Sequence, residues 1–215
     1  MKRRVILLGP PGSGKGTIAA RLQQDFGLKH VSSGHLLRRE VEIGSATGRR
    51  AASFLEKGEL VPDRTVLKLM AQWIQSEPPE TGFMLDGFPR TLSQAAALDQ
   101  WLNQRNTPVE AVVLFACDLP VILDRITGRW GCPRCGRVYH IYSVPPRVEG
   151  RCDDCSVALT QRGDDTEPVV RRRFEIYERQ TRPLSRYYTQ QGKLTVVDAA
   201  LSPDERFERT VAALN

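Results

Sequence analysis

The segment Gly9-Pro10-Pro11-Gly12-Ser13-Gly14-Lys15-Gly16-Thr17 constrains the fold of this chain more than any other feature. It follows the apolar run 5–8 and precedes a stretch of helical character, which is the context required of a phosphate-binding loop. Glycines let backbone N–H groups curl around phosphate oxygens, and the helix N-terminus adds partial positive charge. The alternative is an ordinary Gly-rich turn. The spacing and Lys15 favour a P-loop in which 12–17 bind a nucleoside triphosphate and Lys15 reaches its β- and γ-phosphates.

Short apolar runs, bounded by turn residues and separated by helical segments, predict a largely parallel sheet. The predicted strands are 5–8, 82–85, 112–115 and 194–197, with a weaker candidate at 28–31. The predicted helices are 15–26, 63–74, 92–103, 119–126, a long 167–188, and 203–213. This alternation indicates an α/β fold of the P-loop NTPase type, with a parallel sheet covered by helices on both faces.

Two stretches interrupt the alternation. Residues 32–61 are polar and of helical character, whereas 128–165 carry paired cysteines, three prolines and short-strand character. We expect both to be insertions that project from the core domain.

Composition narrows the function classes. A chain of 215 residues with 40% hydrophobic content can bury a substantial core, and a net charge of +6 suits an anionic partner. No stretch approaches the roughly 20 apolar residues of a membrane helix, and the first apolar run is stopped by the glycines and prolines of the P-loop. We therefore expect a cytoplasmic protein with no membrane role.

Four of the five cysteines form two pairs, Cys132/Cys135 and Cys152/Cys155, separated by sixteen residues. This spacing is typical of a four-cysteine Zn²⁺ site, which leaves no open coordination position and is therefore structural. Disulfides within each pair, or free thiols, are the alternatives. The fifth, Cys117, ends an apolar run and is interpreted as a packed strand residue.

Further segments, in order along the chain, resemble the signatures of the adenylate kinase family of nucleoside monophosphate kinases. The P-loop ends in GKGT, with the hydroxyl at Thr17 rather than directly after Lys15. The other matching segments are 32–38 (SSGHLLR), 86–91 (DGFPRT), 124–129 (DRITGR), 136–140, 145–146, 162–165 and 170–173. The resemblance covers nearly the whole chain.

The resemblance implies reversible phosphoryl transfer from ATP to AMP that gives two ADP, with Mg²⁺ as the nucleotide's cofactor. It also implies a core domain at 1–31, 62–127 and 166–215, a monophosphate-binding insertion at 32–61, and a zinc-bearing lid at 128–165. Because two polyanions must be aligned while charge is neutralised, arginines on separate elements suit this chemistry.

The resemblance further implies a role for each matching residue. The catalytic set is Lys15, Asp86, Arg90, Arg125, Arg129, Arg162 and Arg173, with Asp86 organising the hydrated Mg²⁺. The donor site adds Arg125 and Arg129 to Gly12, Ser13, Gly14, Lys15, Gly16 and Thr17. The acceptor site comprises Ser33, Arg38, Val61, Gly87, Arg90, Gln94, Arg162 and Arg173, in which Gln94 reads the adenine edge.

Two positions depart from the family pattern. Ser33 stands where relatives usually carry Thr, and its hydroxyl preserves the chemistry. His35 stands where many relatives carry an Asp linked to the magnesium water shell, so metal anchoring rests more heavily on Asp86 and GTP remains an alternative donor. His30 and His140 have no evident partner, and we expect core or surface roles for them.

Other function classes make different predictions. A P-loop ATPase that binds nucleic acid through a zinc ribbon should show stacking aromatics among its basic residues, which Trp130, Tyr139 and Tyr142 offer only weakly. A regulatory GTPase should carry Ser or Thr directly after Lys15 and an Asn-Lys-x-Asp motif, and the sequence has neither. A kinase for another small molecule should lack the combination of 86–90 with Gln94. We expect a monomer with no nucleic-acid partner.

Overall fold

A computed structural model describes residues 1–78 and 80–215. The strands are β1 (Arg4–Leu8), β2 (Lys29–Ser32), β3 (Phe83–Asp86), β4 (Ala111–Ala116), β5 (Arg129–Gly131), β6 (Val138–His140) and β7 (Leu194–Asp198). The helices are α1 (Lys15–Phe26), α2 (Ser33–Glu42), α3 (Ala46–Glu56), α4 (Asp63–Ser76), α5 (Leu92–Gln104), α6 (Leu119–Thr127), α7 (Glu167–Ile176), α8 (Leu184–Gln190) and α9 (Pro203–Leu214). Within these residues, no helix combines the length and apolar character needed to cross a bilayer.

Five strands form one parallel sheet in the order β2-β3-β1-β4-β7. The central strand, β1, pairs with β3 on one side and β4 on the other, and Leu7 is in register with Asp86. The P-loop leaves the carboxyl end of β1, so it lies beside Asp86 at the edge where ligands bind in open α/β sheets. The predicted fold class, including the weaker strand candidate at β2, is confirmed.

The sheet is buried on both faces because the side chains of each strand alternate between two cores. On β1, Ile6 and Leu8 belong to the core covered by α4, α5 and α8, whereas Val5 and Leu7 belong to the core covered by α1 and α9. All four are at most 3% exposed. Fully burying such a side chain contributes about 1.5–3 kcal/mol to stability. Burial on both faces therefore holds the carboxyl edge of the sheet, with the P-loop and Asp86, rigid.

The two stretches that interrupt the alternation have the secondary structure predicted for them. Residues 32–61 fold into α2 and α3, and Gly48 of α3 lies so close to α2 that a Cβ there would meet the Glu40 carbonyl oxygen at 2.0 Å. In the second insertion, β5 and β6 form an antiparallel pair beside the cysteines.

The prediction of one regular helix over 167–188 is wrong. The chain instead forms α7, a π-helical turn (Tyr177–Thr181) and α8. The backbone N–H of Arg182 donates to the carbonyl oxygen of Tyr177, five residues back. Pro183 has no N–H and its ring clashes in a regular helix, so the wider turn accommodates it.

Candidate functional site

A cavity of about 1170 Å³ lies at the carboxyl edge of the sheet, between the P-loop and the two insertions. It brings together almost all of the predicted nucleotide-site residues: Gly12, Gly14, Lys15, Gly16, Thr17, Ser33, Arg38, Val61, Asp86, Gly87, Arg90, Gln94, Arg125, Arg129, Arg162 and Arg173. Ser13 is the exception, since it is fully buried behind the loop. The volume exceeds the range of about 300–1,000 Å³ that is usual for small-molecule sites.

Lys15 is held by the P-loop itself. Its Nζ donates to the carbonyl oxygens of Gly9 (2.9 Å) and Pro10 (2.8 Å) and lies 3.3 Å from the Oγ of Ser13. No carboxylate of the described residues forms an ion pair with it. Burial lowers the pKa of Lys15 to about 8, because the charged form is poorly solvated there. The lysine is therefore a buried cation that lacks an anion.

The P-loop backbone accepts only glycine at two positions. Gly12 has φ +81° and its Cβ would lie 2.8 Å from Ile126, whereas Gly14 has φ +90° at the start of α1. Positive φ is costly for other residues, and neither position has room for a side chain. The loop can therefore turn its N–H groups toward an anion at the N-terminus of α1.

Asp86 ends β3 at the floor of the cavity, and its Oδ2 lies 3.4 Å from the Nε2 of His30. Burial by itself would raise the pKa of Asp86, but the His30 hydrogen bond and the charges of Lys15 and His30 lower it overall. Asp86 is therefore held as a carboxylate, the form that can organise the waters of a hard cation.

The sequence indicates no partner for His30 or His140, and the structure places one beside each. Parallel pairing aligns Ser32 with Asp86, and His30 lies two residues earlier on the same face of β2. His140 lies 3.0 Å from the Asp124 carbonyl oxygen through Nε2, and its Nδ1 accepts backbone N–H groups of Tyr142 and Ser143. Because Nδ1 accepts, the proton is on Nε2.

Several residues predicted for the acceptor site are grouped around the turn after β3. The Oγ of Ser33 donates to the Gly87 carbonyl oxygen at 2.6 Å, and the Nε of Arg90 donates to the same oxygen at 2.7 Å. Gly87 has φ +73°, and a Cβ there would lie 2.9 Å from the Arg90 guanidinium. Gln94 is 1% exposed and is anchored at both amide atoms, through Arg90 and Asp63. The turn therefore fixes several predicted acceptor residues at once.

Four arginines from α2, β5, α7 and the loop before α7 line another wall of the cavity: Arg38, Arg129, Arg162 and Arg173. Two adjacent carboxylates balance them in part. Asp165, whose side chain is fully buried, accepts from Arg129 at 2.6 and 2.9 Å, and Asp164 pairs with Arg173. Burial, followed by the charges of Arg162 and Arg173, lowers the pKa of Arg38 to about 10. The wall has an excess of positive charge, which suits phosphate.

Arg125, on α6, lines the cavity. Its Nη2 donates to the Ala199 carbonyl oxygen at 2.8 Å, and its Nη1 lies 3.9 Å from the Sγ of Cys117. Burial raises the pKa of Cys117, and the side chain packs on two apolar clusters. An unactivated, packed thiol agrees with the structural role predicted for Cys117.

The four remaining cysteines lie away from the cavity, and their Sγ atoms all lie within 4.8 Å of one another. The Cys135 and Cys152 sulfurs are 3.6 Å apart, too far for a disulfide. Tetrahedral Zn²⁺ with Zn–S bonds of about 2.3 Å places sulfurs about 3.8 Å apart. The chemistry and spacing of the four thiols therefore fit zinc.

The two cysteine pairs form equivalent turns. Gly136 N–H donates to the Cys132 carbonyl oxygen (2.9 Å) and Ser156 N–H to that of Cys152 (2.8 Å). In each turn the donor residue has positive φ, +74° at Gly136 and +55° at Ser156. Each turn thus presents two thiolates from one backbone conformation, an arrangement that the CxxC spacing predicts.

Two site residues were missed by the sequence analysis. Asp63, at the first turn of α4, contacts Gln94, but nothing in the spacing of the two residues indicates it. Arg206, on α9, is 7% exposed and lines the cavity next to the P-loop. A basic residue on the buried face of an amphipathic helix is a signal that could have identified Arg206.

Comparison with known proteins agrees with this geometry. The family model described as "Adenylate kinase" matches residues 7–193. Adenylate kinase of Clostridium kluyveri is 39% identical over 98% of this chain and 97% of its own length. The enzymes of Clostridium novyi (42%, 95% of each chain) and Thermodesulfovibrio yellowstonii (41%, 98% of each chain) are similarly related. The chain, with its P-loop, arginine-lined cavity and cysteine cluster, belongs to the adenylate kinase family of nucleoside monophosphate kinases.

Proposed function

We propose that the chain transfers the terminal phosphoryl group of Mg²⁺-bound ATP reversibly to AMP, giving two ADP. Family membership over nearly the whole chain supports the reaction, and all these relatives carry the name adenylate kinase. The observation that carries the proposal is the single cavity in which the P-loop faces a wall of arginines. Such a cavity can hold two polyanionic nucleotides end to end and neutralise both.

On the donor side, we assign the triphosphate to the N–H groups of 12–17, the Lys15 ammonium, Arg125 and Arg129. Lys15 suits this role because its ammonium donates to two carbonyl oxygens and one hydroxyl, and to no carboxylate. Asp86 and the Thr17 hydroxyl would hold Mg²⁺ with its waters, and the ion would neutralise phosphate charge. Both residues line the cavity beside Lys15.

On the acceptor side, we assign the AMP phosphate to Arg38 and Arg90 and its base to Gln94, with Ser33, Val61 and Gly87 shaping the pocket. Arg162 and Arg173 then stabilise the transferring group between the two nucleotides. Asp164 and Asp165 hold Arg173 and Arg129 near the cavity before nucleotide arrives. Positioning of this kind lowers the barrier without covalent chemistry.

The three-part division predicted from the sequence supports a closing movement. We assign 1–31, 62–127 and 166–215 to a core, 32–61 to the acceptor insertion and 128–165 to a lid. The lid contributes Arg129 and Arg162 to the cavity, so its closure would complete the phosphate site and exclude water.

We assign one Zn²⁺ to the four lid cysteines and give it a structural role. The lid has a small apolar core of its own, made of the partly or fully buried Trp130, Tyr139, Val157 and Leu159 with the cysteines. A metal cross-link compensates for so small a core. The alternative of a zinc ribbon for nucleic acid is disfavoured, because one family model spans both the P-loop and the cysteines. The monomeric state and the cytoplasmic location stay predictions.

The decisive experiment supplies ADP and Mg²⁺ to the purified protein and measures ATP and AMP. We expect both products in equal amounts, with no conversion by Lys15→Met. ATP and GTP are then compared as donors against AMP, GMP, CMP and UMP, and we expect ATP with AMP to be the fastest pair. Folded, zinc-loaded protein that leaves ADP unchanged would refute the function, and faster transfer from GTP would reassign the donor.

A further inference from the structure

Among residues 1–78 and 80–215, Arg206 is the one buried guanidinium near the P-loop that none of the roles assigned above uses. It is 7% exposed, and no carboxylate of the described residues forms an ion pair with it. Its protein partners are two carbonyl oxygens: Nη1 donates to Ser13 at 3.3 Å and Nε to Ser202 at 3.4 Å. Buried charges are ordinarily paired, so this cation is exceptional.

The guanidinium lies directly against the P-loop. A Cβ on Gly14 would meet its Nη1 at 2.1 Å, so the plane of Arg206 occupies the space that the missing Gly14 side chain leaves. Arg206 also lines the cavity together with Gly14, Lys15 and Arg125. Its Nη2 donates to no protein atom of the described residues, yet it is not one of the fully buried atoms that lack a partner. That donor is therefore open to whatever occupies the cavity.

Three cations surround this end of the cavity without a carboxylate among their hydrogen-bond partners: Lys15, Arg125 and Arg206. Burial, followed by the charge of Arg125, lowers the pKa of Arg206, so Arg125 and Arg206 repel each other when no anion is present. Such repulsion costs folding free energy and is relieved by an anion that contacts all three. The Arg129 and Arg173 side chains differ in this respect, because each has an aspartate partner.

We propose that Arg206 is a further donor-nucleotide residue, which binds the phosphate chain of the triphosphate beside the P-loop. The proposal rests on the donor site assigned above. The ligand chemistry is a polyphosphate, since the open N–H donors and the charge of a guanidinium match phosphate oxygens. Because Arg206 also bonds the Ser13 carbonyl, one side chain joins α9 to the P-loop and to its ligand.

The test compares Arg206→Gln with Arg209→Gln, which removes the same charge from an exposed position on the same helix. Calorimetry measures the Kd of Mg-ATP, of inorganic tripolyphosphate, of adenosine and of AMP. We expect Arg206→Gln to weaken ATP and tripolyphosphate by about 10- to 100-fold, as loss of a charge-assisted hydrogen bond does, and to leave adenosine and AMP unchanged. Arg206→Lys should recover part of the tripolyphosphate affinity.

A purely structural arginine gives a different result. Arg206→Gln would then lower the melting temperature while the Kd of tripolyphosphate stays equal to that of Arg209→Gln, and the proposal would be wrong. If Arg206→Gln does not fold, arginine-selective modification of the unaltered protein decides, because bound tripolyphosphate should protect Arg206 and not Arg209. Equal labelling with and without tripolyphosphate overturns the proposal. Failure of the proposed function is distinguishable, since it appears in the unaltered protein as absent ADP conversion.

Discussion

The Nε2 of Gln94 donates to the Oδ1 of Asp63 at 2.7 Å, while the Oε1 of Gln94 accepts the backbone N–H of Arg90 at 2.8 Å. A carboxylate cannot donate and a backbone N–H cannot accept, so the Gln94 amide cannot flip. Asp63 is fixed in turn by Thr91 and Ser93, whose hydroxyls donate to its Oδ2 at 2.8 and 2.9 Å. The second N–H of Nε2 and the second lone pair of Oε1 therefore have fixed positions.

The fixed orientation of the Gln94 amide affects which acceptor base it can hydrogen-bond. Adenine offers a donor at N6 next to an acceptor at N1, whereas guanine offers the reverse pattern, so a fixed amide matches one and opposes the other. We expect Asp63→Asn to lower the preference for AMP over GMP by up to about tenfold, because an asparagine amide no longer opposes the flipped Gln94 amide and leaves only the Arg90 N–H to hold its orientation. Steady-state KM and kcat for AMP, GMP and IMP measure the change.

Asp99→Asn is the matched control for Asp63→Asn. Asp99, on α5, accepts from Tyr187 of α8 and from Gln191, the residue after α8, and it does not line the cavity. It should alter thermal stability without altering base preference. If Asp63→Asn loses stability and keeps the full preference for AMP, the orientation of the Gln94 amide is not what selects the base.

The depressed pKa of Lys15 predicts proton uptake when ATP binds. In the free protein that pKa is about 8, below the ordinary 10.5, and contact with phosphate favours the charged form. At pH 8.5 part of the Lys15 population is neutral, so binding takes up a fraction of a proton, and uptake disappears below about pH 7. Calorimetry in two buffers of different ionisation enthalpy gives the number of protons.

The lowered pKa of Lys15 also makes folding stability depend on pH. Between pH 8 and 10.5 the unfolded chain binds more protons at Lys15 than the folded chain, so this group makes stability rise with pH in that window. Lys15→Met should remove both the uptake and this rise. The exposed Lys68→Met serves as the control and should change neither, and uptake that survives in Lys15→Met would assign it to another group.

Arg173 is expected to act mainly in the transition state. We expect Arg173→Ala to lower kcat by about 10³-fold, as loss of an arginine at a transferring phosphoryl group does, with a smaller effect on the KM of either nucleotide. The neighbouring Arg172 is exposed and pairs only with surface glutamates, at 3.5 Å to Glu175 and 3.8 Å to Glu59. Arg172→Ala should therefore be close to neutral. Unchanged kcat per folded molecule of Arg173→Ala would make that residue structural.

The sequence predicts the strands, the P-loop and the cysteine cluster because each depends on local spacing. Val5–Leu8 is fully apolar since both faces of β1 are buried, and the CxxC pairs close their own turns. The pairing of His30 with Asp86 depends on strand register, and that of Gln94 with Asp63 on how α4 meets α5. Nothing in the residues next to either pair indicates these contacts. The π-helical turn before Pro183 likewise depends on how the chain absorbs a proline inside an otherwise helical pattern.

Zinc removal should separate lid stability from chemistry. The lid's own apolar cluster is small, so we expect chelation, or Cys152→Ser, to lower the thermal midpoint through melting of 128–165. Transfer activity should survive at low temperature, because the cysteines do not line the cavity. Freshly purified, reduced protein should contain about one zinc per chain. Its absence would contradict the assignment, and loss of activity with the lid still folded would make the metal catalytic.

The two cysteine turns differ at one equivalent position, and that difference predicts a stabilising substitution. Gly136 and Ser156 both have positive φ, but only Ser156 carries a side chain, and left-handed backbone costs an ordinary residue about 1–2 kcal/mol. Glycine at position 156 would avoid this cost, but part of the gain is offset by the extra freedom of glycine in the unfolded chain. We therefore expect Ser156→Gly to stabilise the zinc-loaded lid by about 0.5–1 kcal/mol, and Gly136→Ser to destabilise it by a similar amount.

Gly163→Ser is the control for these lid variants, since Gly163 lacks positive φ and has no atom within 4 Å of its Cβ position. It should leave the lid's melting temperature nearly unchanged or raise it slightly, because serine restricts the unfolded chain. Melting is followed by the fluorescence of Trp130, which packs on the cysteine cluster. Zinc content must stay equal across the three variants. A Ser156→Gly lid that melts lower than the unaltered one, at equal zinc content, would show that the Ser156 side chain contributes more than its backbone strain costs.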